Sequence, residues 1–172
     1  DIKTGQQSLF QLYDFSVLPI EFISNVYERF IGKENQAKAG AYYTPTFLVD
    51  YIISQTVAKK LNTDDSTAAC KVLDPACGSG IFLVETLRKI IEKHITLHGI
   101  PDDKQVFKEV IKKLARENIF GIDKDESAVQ VAIFSVYLTL LDYQKPAEIE
   151  NFKFPELLNT NFFVADFFDV EA

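Results

Sequence analysis

Three aspartates stand where this chain can do chemistry, and each closes a short apolar run. Asp74 follows Val72-Leu73, Asp123 follows the run from Ile119 to Ile122, and Asp166 follows the run from Phe162 to Ala165. Between Asp74 and an apolar-periodic stretch starting near Ile81 lies a small-residue turn, residues 75–80, within KVLDPACGSGIFL. Strand, glycine turn and helix N-terminus in that order leave backbone amides pointing outward, and glycines without Cβ admit a close ligand. An acid ending the second strand can accept from both ribose hydroxyls. Asp166 can accept from the exocyclic amine of adenine, and Asp74 can hold the loop amides or a ligand ammonium. Together they describe a nucleoside pocket.

What the turn lacks narrows the ligand. A dinucleotide fingerprint requires G-x-G-x-x-G with an acid about 20 residues on. Here Gly78-Ser79-Gly80 is followed by Ile81-Phe82-Leu83, and Asp123 lies far beyond that spacing. No Lys or Arg lies between Asp74 and Ile81 to balance a pyrophosphate. A ligand with a cationic or zwitterionic head suits such a loop better, which points to S-adenosylmethionine.

Elements must hold these acids at one edge. Ile20, Ile23, Val26, Tyr27, Phe30 and Ile31 recur at helical spacing, so residues 19–31 read as an amphipathic helix and polar 32–40 as a loop. Thr44-Pro45 reads as a capping hydroxyl with proline at the first helical position. The helix it opens carries Leu48, Val49, Ile52, Ile53 and Val57 and ends near Leu61; residues 62–68 read as a linker. Beyond the turn, Leu83, Val84, Leu87, Ile90 and Ile91 mark one helix, and Val106, Phe107, Val110, Ile111 and Leu114 another. A further helix spans about 126–141, and residues 145–160 form a long connection. Strands separated by helices imply parallel right-handed crossovers, with the site at the strands' C-terminal edge. The predicted fold is α/β, a partial doubly wound sheet of about three parallel strands preceded by a helical segment. Residues 1–61 would form that segment and 62–172 the cofactor-binding part.

At 172 residues the chain fits one domain, and 47% hydrophobic with 25% charged residues is ordinary for a globular protein. A net charge of −7 with scattered basic residues makes this chain a poor gripper of phosphate backbone, so a DNA partner would be held mainly by regions outside it. No apolar run approaches a membrane span. Cys70 and Cys77 suggest no disulfide framework, so a cytoplasmic location is expected. Several of the 15 Phe cluster near the C-terminal end, as on a surface meant to be covered. His94 and His98 stand four apart, but position 95 is Ile and no third ligand is evident, so solvated helix-end histidines are expected rather than a metal site. Ser79 lacks the G-x-S-x-G elbow of a serine nucleophile. Asp64-Asp65 and Asp102-Asp103 read as turn and cap residues.

DPACGSG, with YYTP upstream and GIDKD then ADFF downstream, resembles the amino-methyltransferases that methylate adenine in DNA. More narrowly, it is similar to the methylase part of type I and type IIG restriction-modification enzymes, from about Ile20 to Phe168. The resemblance implies a Rossmann-like sheet and S-adenosylmethionine as cofactor. It places Tyr43 and Thr44 in the segment closing over the methionine moiety. Asp74, Ala76 and Gly78, with Gly80 at the loop's end, would lie under methionine and ribose. Asp123 would bind the ribose, with Lys124 flanking the adenine. Asp166 would accept from the adenine amine, and Phe167 would pack on the ring. DNA and restriction or specificity domains or subunits are the implied partners.

The family's catalytic Asn/Asp-Pro-Pro-aromatic motif, which receives the flipped base, has no counterpart, since no Pro-Pro occurs. This chain is therefore expected to be the N-terminal piece of a larger enzyme, able to bind cofactor but inactive alone. Its first strand would then be an open edge prone to self-association. Because the cofactor half does not name the acceptor, methyl transfer to RNA or protein glutamine stays open. So does a non-catalytic adenosine-binding module.

Overall fold

The computed structural model describes residues 44–145, 149 and 152–169, and the expected α/β architecture is present in them. Helices α1 (Thr46–Gln55) and α2 (Val57–Thr63) precede strand β1 (Val72–Asp74). Helices α3 (Ile81–His98) and α4 (Lys104–Asn118) lead into β2 (Ile119–Asp123). Helix α5 (Glu126–Asp142) and a long connection lead to β3 (Phe162–Val164). The strands form one parallel sheet in the order β1-β2-β3, with Leu73 beside Phe120 and Ile122 beside Phe163. The amphipathic stretch 19–31, the loop 32–40 and Tyr43 lie outside the described residues.

Local chemistry accounts for the element ends. Asp103 accepts from Gln105 N at 2.8 Å to open α4, and Asp125 accepts from Ser127 N at 2.9 Å to open α5. Asp64 likewise turns the chain by accepting from Ser66 N. Gly99, at φ 75°, ends α3 by donating to Ile95 O. Two expectations are corrected here. Thr44 does not cap α1: Pro45 is the N-cap, and no side chain caps that end. A residue before proline is pushed out of helical backbone, so the helix starts beyond the pair. Nor does one helix run to Leu61. Thr56 leaves helical backbone at φ −117°, ψ −84°, with its hydroxyl on Ile52 O, and splits the stretch into α1 and α2. The break lets Val49 and Ile53 from α1, and Val57 and Leu61 from α2, reach the same core.

The core lies between the helices and one face of the sheet. Gly121 shows which face: a Cβ there would stand 2.7 Å from the Phe162 ring and 3.0 Å from Leu83 Cδ1 of α3. Ile119, Gly121 and Phe162 therefore face the helices. By alternation, Leu73, Phe120, Ile122 and Phe163 share the other face, where Leu73 is 48% and Phe163 40% exposed. Among the described residues, β1 is the sheet's edge, paired only with β2.

Two buried asparagines pin the strands' entrances. Asn118 accepts from Cys70 N at 2.8 Å and donates to Leu114 O. Asn161 donates through one amide nitrogen to Arg116 O and Ile119 O, at 2.8 and 2.7 Å. Its own carbonyl accepts from Gly121 N. These bonds join the end of α4 to the starts of all three strands.

Candidate functional site

The turn between β1 and α3 is built by short backbone links. Asp74 Oδ1 accepts from Ala76 N at 3.2 Å, and Gly80 N donates to Cys77 O at 2.8 Å. Cys77 N donates to Ile122 O at 2.9 Å, which stitches the turn to the end of β2. Gly80 takes φ +85°, and a Cβ there would press within 3.0 Å of Ala132 on α5, so only glycine lets α3 start this close. Gly78, at φ +51°, has open space where its Cβ would be. Its amide faces Asp123: Asp123 Oδ2 accepts from Gly78 N at 2.9 Å, while Oδ1 accepts from Asp125 N at 3.0 Å. Ala165 N donates to Asp123 O at 2.9 Å and sets Asp166 beside it; Asp166 Oδ1 accepts from Phe168 N.

Asp74, Ala76, Gly78, Gly80, Asp123 and Asp166 are thus gathered at the C-terminal edge of the sheet. Asp74 holds a loop amide, one of the two tasks expected of it. Asp123 has a second job absent from the sequence reading, bracing the turn, and each of its oxygens keeps a lone pair for a ligand hydroxyl. Lys124 is exposed beside it. Phe167 is 39% and Phe168 91% exposed, their rings edge to face at 5.5 Å. Thr44 lies just ahead of α1, and Tyr43 is outside the described residues.

The site is electrically split. Burial pushes the Asp74 carboxyl above its ordinary range; the Asp123 charge adds to this and the Ala76 amide opposes it. The Cys77 thiol, buried between the two acids, is pushed up to about 12 and is no nucleophile. Arg88 pairs with Glu85 and Asp142, and Lys93 pairs with Asp65, yet no basic side chain pairs with Asp74, Asp123 or Asp166 among the described residues. Against these acids stands the N-terminus of α3, with no acid in its first turn and no side-chain cap among the described residues, an end whose dipole favours an anion. Carboxylates beside a helix N-terminus fit a zwitterion. A pyrophosphate would meet the acids.

The pinning asparagines were missed from sequence, although a signal was there. NIFGID and NFFVAD place an Asn five residues before the strand-ending Asp, the first frame covering β2 and the second β3. His94 and His98 lie elsewhere, their rings 4.6 Å apart beside a cavity of about 270 Å³ at the sheet's opposite end. No cluster of three or more metal-ligating side chains forms among the described residues.

Residues 19–155 match the family model described as N-6 DNA Methylase. The type II restriction enzyme and methyltransferase RM.Eco57I of Escherichia coli is 30% identical over 158 residues, covering 76% of this chain and 16% of that protein. The type I restriction enzyme MjaVII methylase subunit of Methanocaldococcus jannaschii is 30% identical over 69% of this chain and 19% of its own length. The type I restriction enzyme HindI methylase subunit of Haemophilus influenzae is 32% identical over 61% of this chain and 23% of its length. This chain therefore spans less than a quarter of these relatives. No solved structure matches it significantly. With most of its residues inside the family match, the chain belongs to the N-6 DNA methylase family.

Proposed function

We propose that this chain is the S-adenosylmethionine-binding part of a DNA adenine methyltransferase of a restriction-modification system. The observation that supports this most is the carboxylate edge, without a basic partner among the described residues, joined to a glycine turn through the Asp123–Gly78 bond. The helix N-terminus at α3 suits the methionine carboxylate and Asp74 its ammonium. Asp123 has lone pairs for the ribose, and Asp166 with Phe167 stands where an adenine would lie, Lys124 beside it. Tyr43 and Thr44 complete the methionine end in this reading, which keeps residues 1–61 and 62–172 as its two parts.

When bound, the cofactor supplies an electrophilic methyl for in-line attack by the exocyclic amine of adenine. The residues of this chain orient and hold it; the groups that receive the flipped base, and most of the DNA grip, belong to other regions. The relatives named as methylase subunits favour specificity or restriction subunits as partners, in a cytoplasmic setting. Calorimetric titration tests the reading. S-adenosylmethionine should bind, NAD should not, and Asp123→Ala should weaken the first ligand at least about tenfold through loss of a charged acceptor. Equal binding of NAD would refute it.

A further inference from the structure

Helix α1 is apolar over more of its circumference than the core uses. Val49 and Ile53 are its buried residues, yet Phe47 is 74%, Tyr51 63%, Leu48 38% and Ile52 37% exposed. At 3.6 residues per turn these four share an arc of about 140°, beside the buried pair. Thr46, Asp50 and Ser54 take the remaining side. A surface helix carries polar residues away from the core, so two large aromatics and two aliphatics in one exposed stripe mark a face that something covers. Nothing among the described residues covers it.

The chain carries a matching face of its own. Read as a helix, 19–31 gathers Ile20, Ile23, Val26, Tyr27, Phe30 and Ile31 within a similar arc of about 140°. Glu21, Ser24, Asn25, Glu28 and Arg29 fall on its other side. Residues 32–44 join the two stretches, a tether that reaches roughly 40 Å when extended, against about 15 Å for the length of α1. Such a tether holds the two faces at an effective concentration on the order of millimolar, which favours this segment over a second copy or a separate partner. We propose that residues 19–31 dock as a helix on the Phe47–Tyr51 face of α1, forming an αα-hairpin that covers the stripe from within the same chain.

Amide hydrogen exchange on the full chain tests this. Amides of residues 23–31, beyond the first turn, should exchange at least about tenfold more slowly than those of an unstructured segment. Phe47→Ala with Tyr51→Ala should abolish that protection and leave α3 and β2 unchanged, because Val49 and Ile53 still anchor α1 in the core. Tyr27→Ala with Phe30→Ala should do the same from the other side. Alanine keeps helix propensity, so the loss reports docking rather than helix formation. Protection should not depend on protein concentration. Unprotected exchange across 23–31 in the parent overturns the proposal, and so does protection that survives the Phe47 and Tyr51 changes. Protection that grows with concentration assigns the face to a second copy and overturns it as well.

Discussion

Replacing Gly121 by alanine adds one methyl where the sheet has no room for it. The new Cβ would lie 2.7 Å from two ring carbons of Phe162 and 3.0 Å from Leu83 Cδ1. Comfortable carbon contacts begin near about 3.5 Å, so the ring must retreat by roughly 1 Å. Phe162 and Leu83 are both fully buried, and neither can swing into solvent. Overpacking of this kind costs about 1–3 kcal/mol, of which alanine's smaller loss of backbone entropy recovers at most about 1 kcal/mol. The net loss of about 1–2 kcal/mol should lower the melting temperature by about 2–8 °C for a chain of this size. Thermal and urea unfolding measure it. Phe162→Leu makes space at the same point, so the double variant should lose at least about 1 kcal/mol less than the sum of the two singles. A Gly121→Ala protein as stable as the parent, or strict additivity of the pair, would refute the packing argument and the β2–β3 register behind it.

Other perturbations reach different links of the chain. Asn161→Ala leaves the carbonyls of Arg116 and Ile119 without their buried donor and should cost about 2–4 kcal/mol in urea unfolding; a loss below about 0.5 kcal/mol would remove its role. The folded-state carboxyl of Asp74 titrates above its unfolded value of 3.8, so its contribution is favourable below that value and is lost as pH rises through the folded one. Asp74→Asn should therefore melt higher than the parent at neutral pH, with the gap closing towards pH 4. A gap that widens on acidification would show the sign to be wrong. Leu73 and Phe163 on the open sheet face should drive concentration-dependent self-association in sedimentation, relieved by Leu73→Lys with Phe163→Lys. A strictly monomeric parent at high concentration would end that idea.

Much of this was legible because the signals are local. The apolar periods of α3, α4 and α5 and the aspartates closing each strand placed the elements to within a residue or two. Glycine in a strand also signals a close approach, although nothing near Gly121 names Phe162 as the group that approaches. What was not legible depends on groups distant in sequence. The bond from Gly78 N to Asp123 joins a turn to a strand formed much later in the chain, so the brace is invisible until the sheet exists. The bend at Thr56 is a tertiary compromise that lets two short helices share one core, against a continuous helical pattern. Thr44 shows the opposite failure, a local capping signal overridden by the proline beside it.

Asn118 and Asn161 have a mechanical consequence. They clamp the strands at their entrances, while the exits carry Asp74, Asp123 and Asp166 held mainly by backbone amides of neighbouring turns. Each strand should then behave as a cantilever, stiffer at the root than at the tip. Amide exchange should be slowest at Ile119 and Gly121 and fastest past Asp123 and Asp166, where backbone is least enclosed. Damage to the roots then registers as lost stability, whereas change at the tips registers as altered affinity. The two properties can drift apart without the fold having to choose between them.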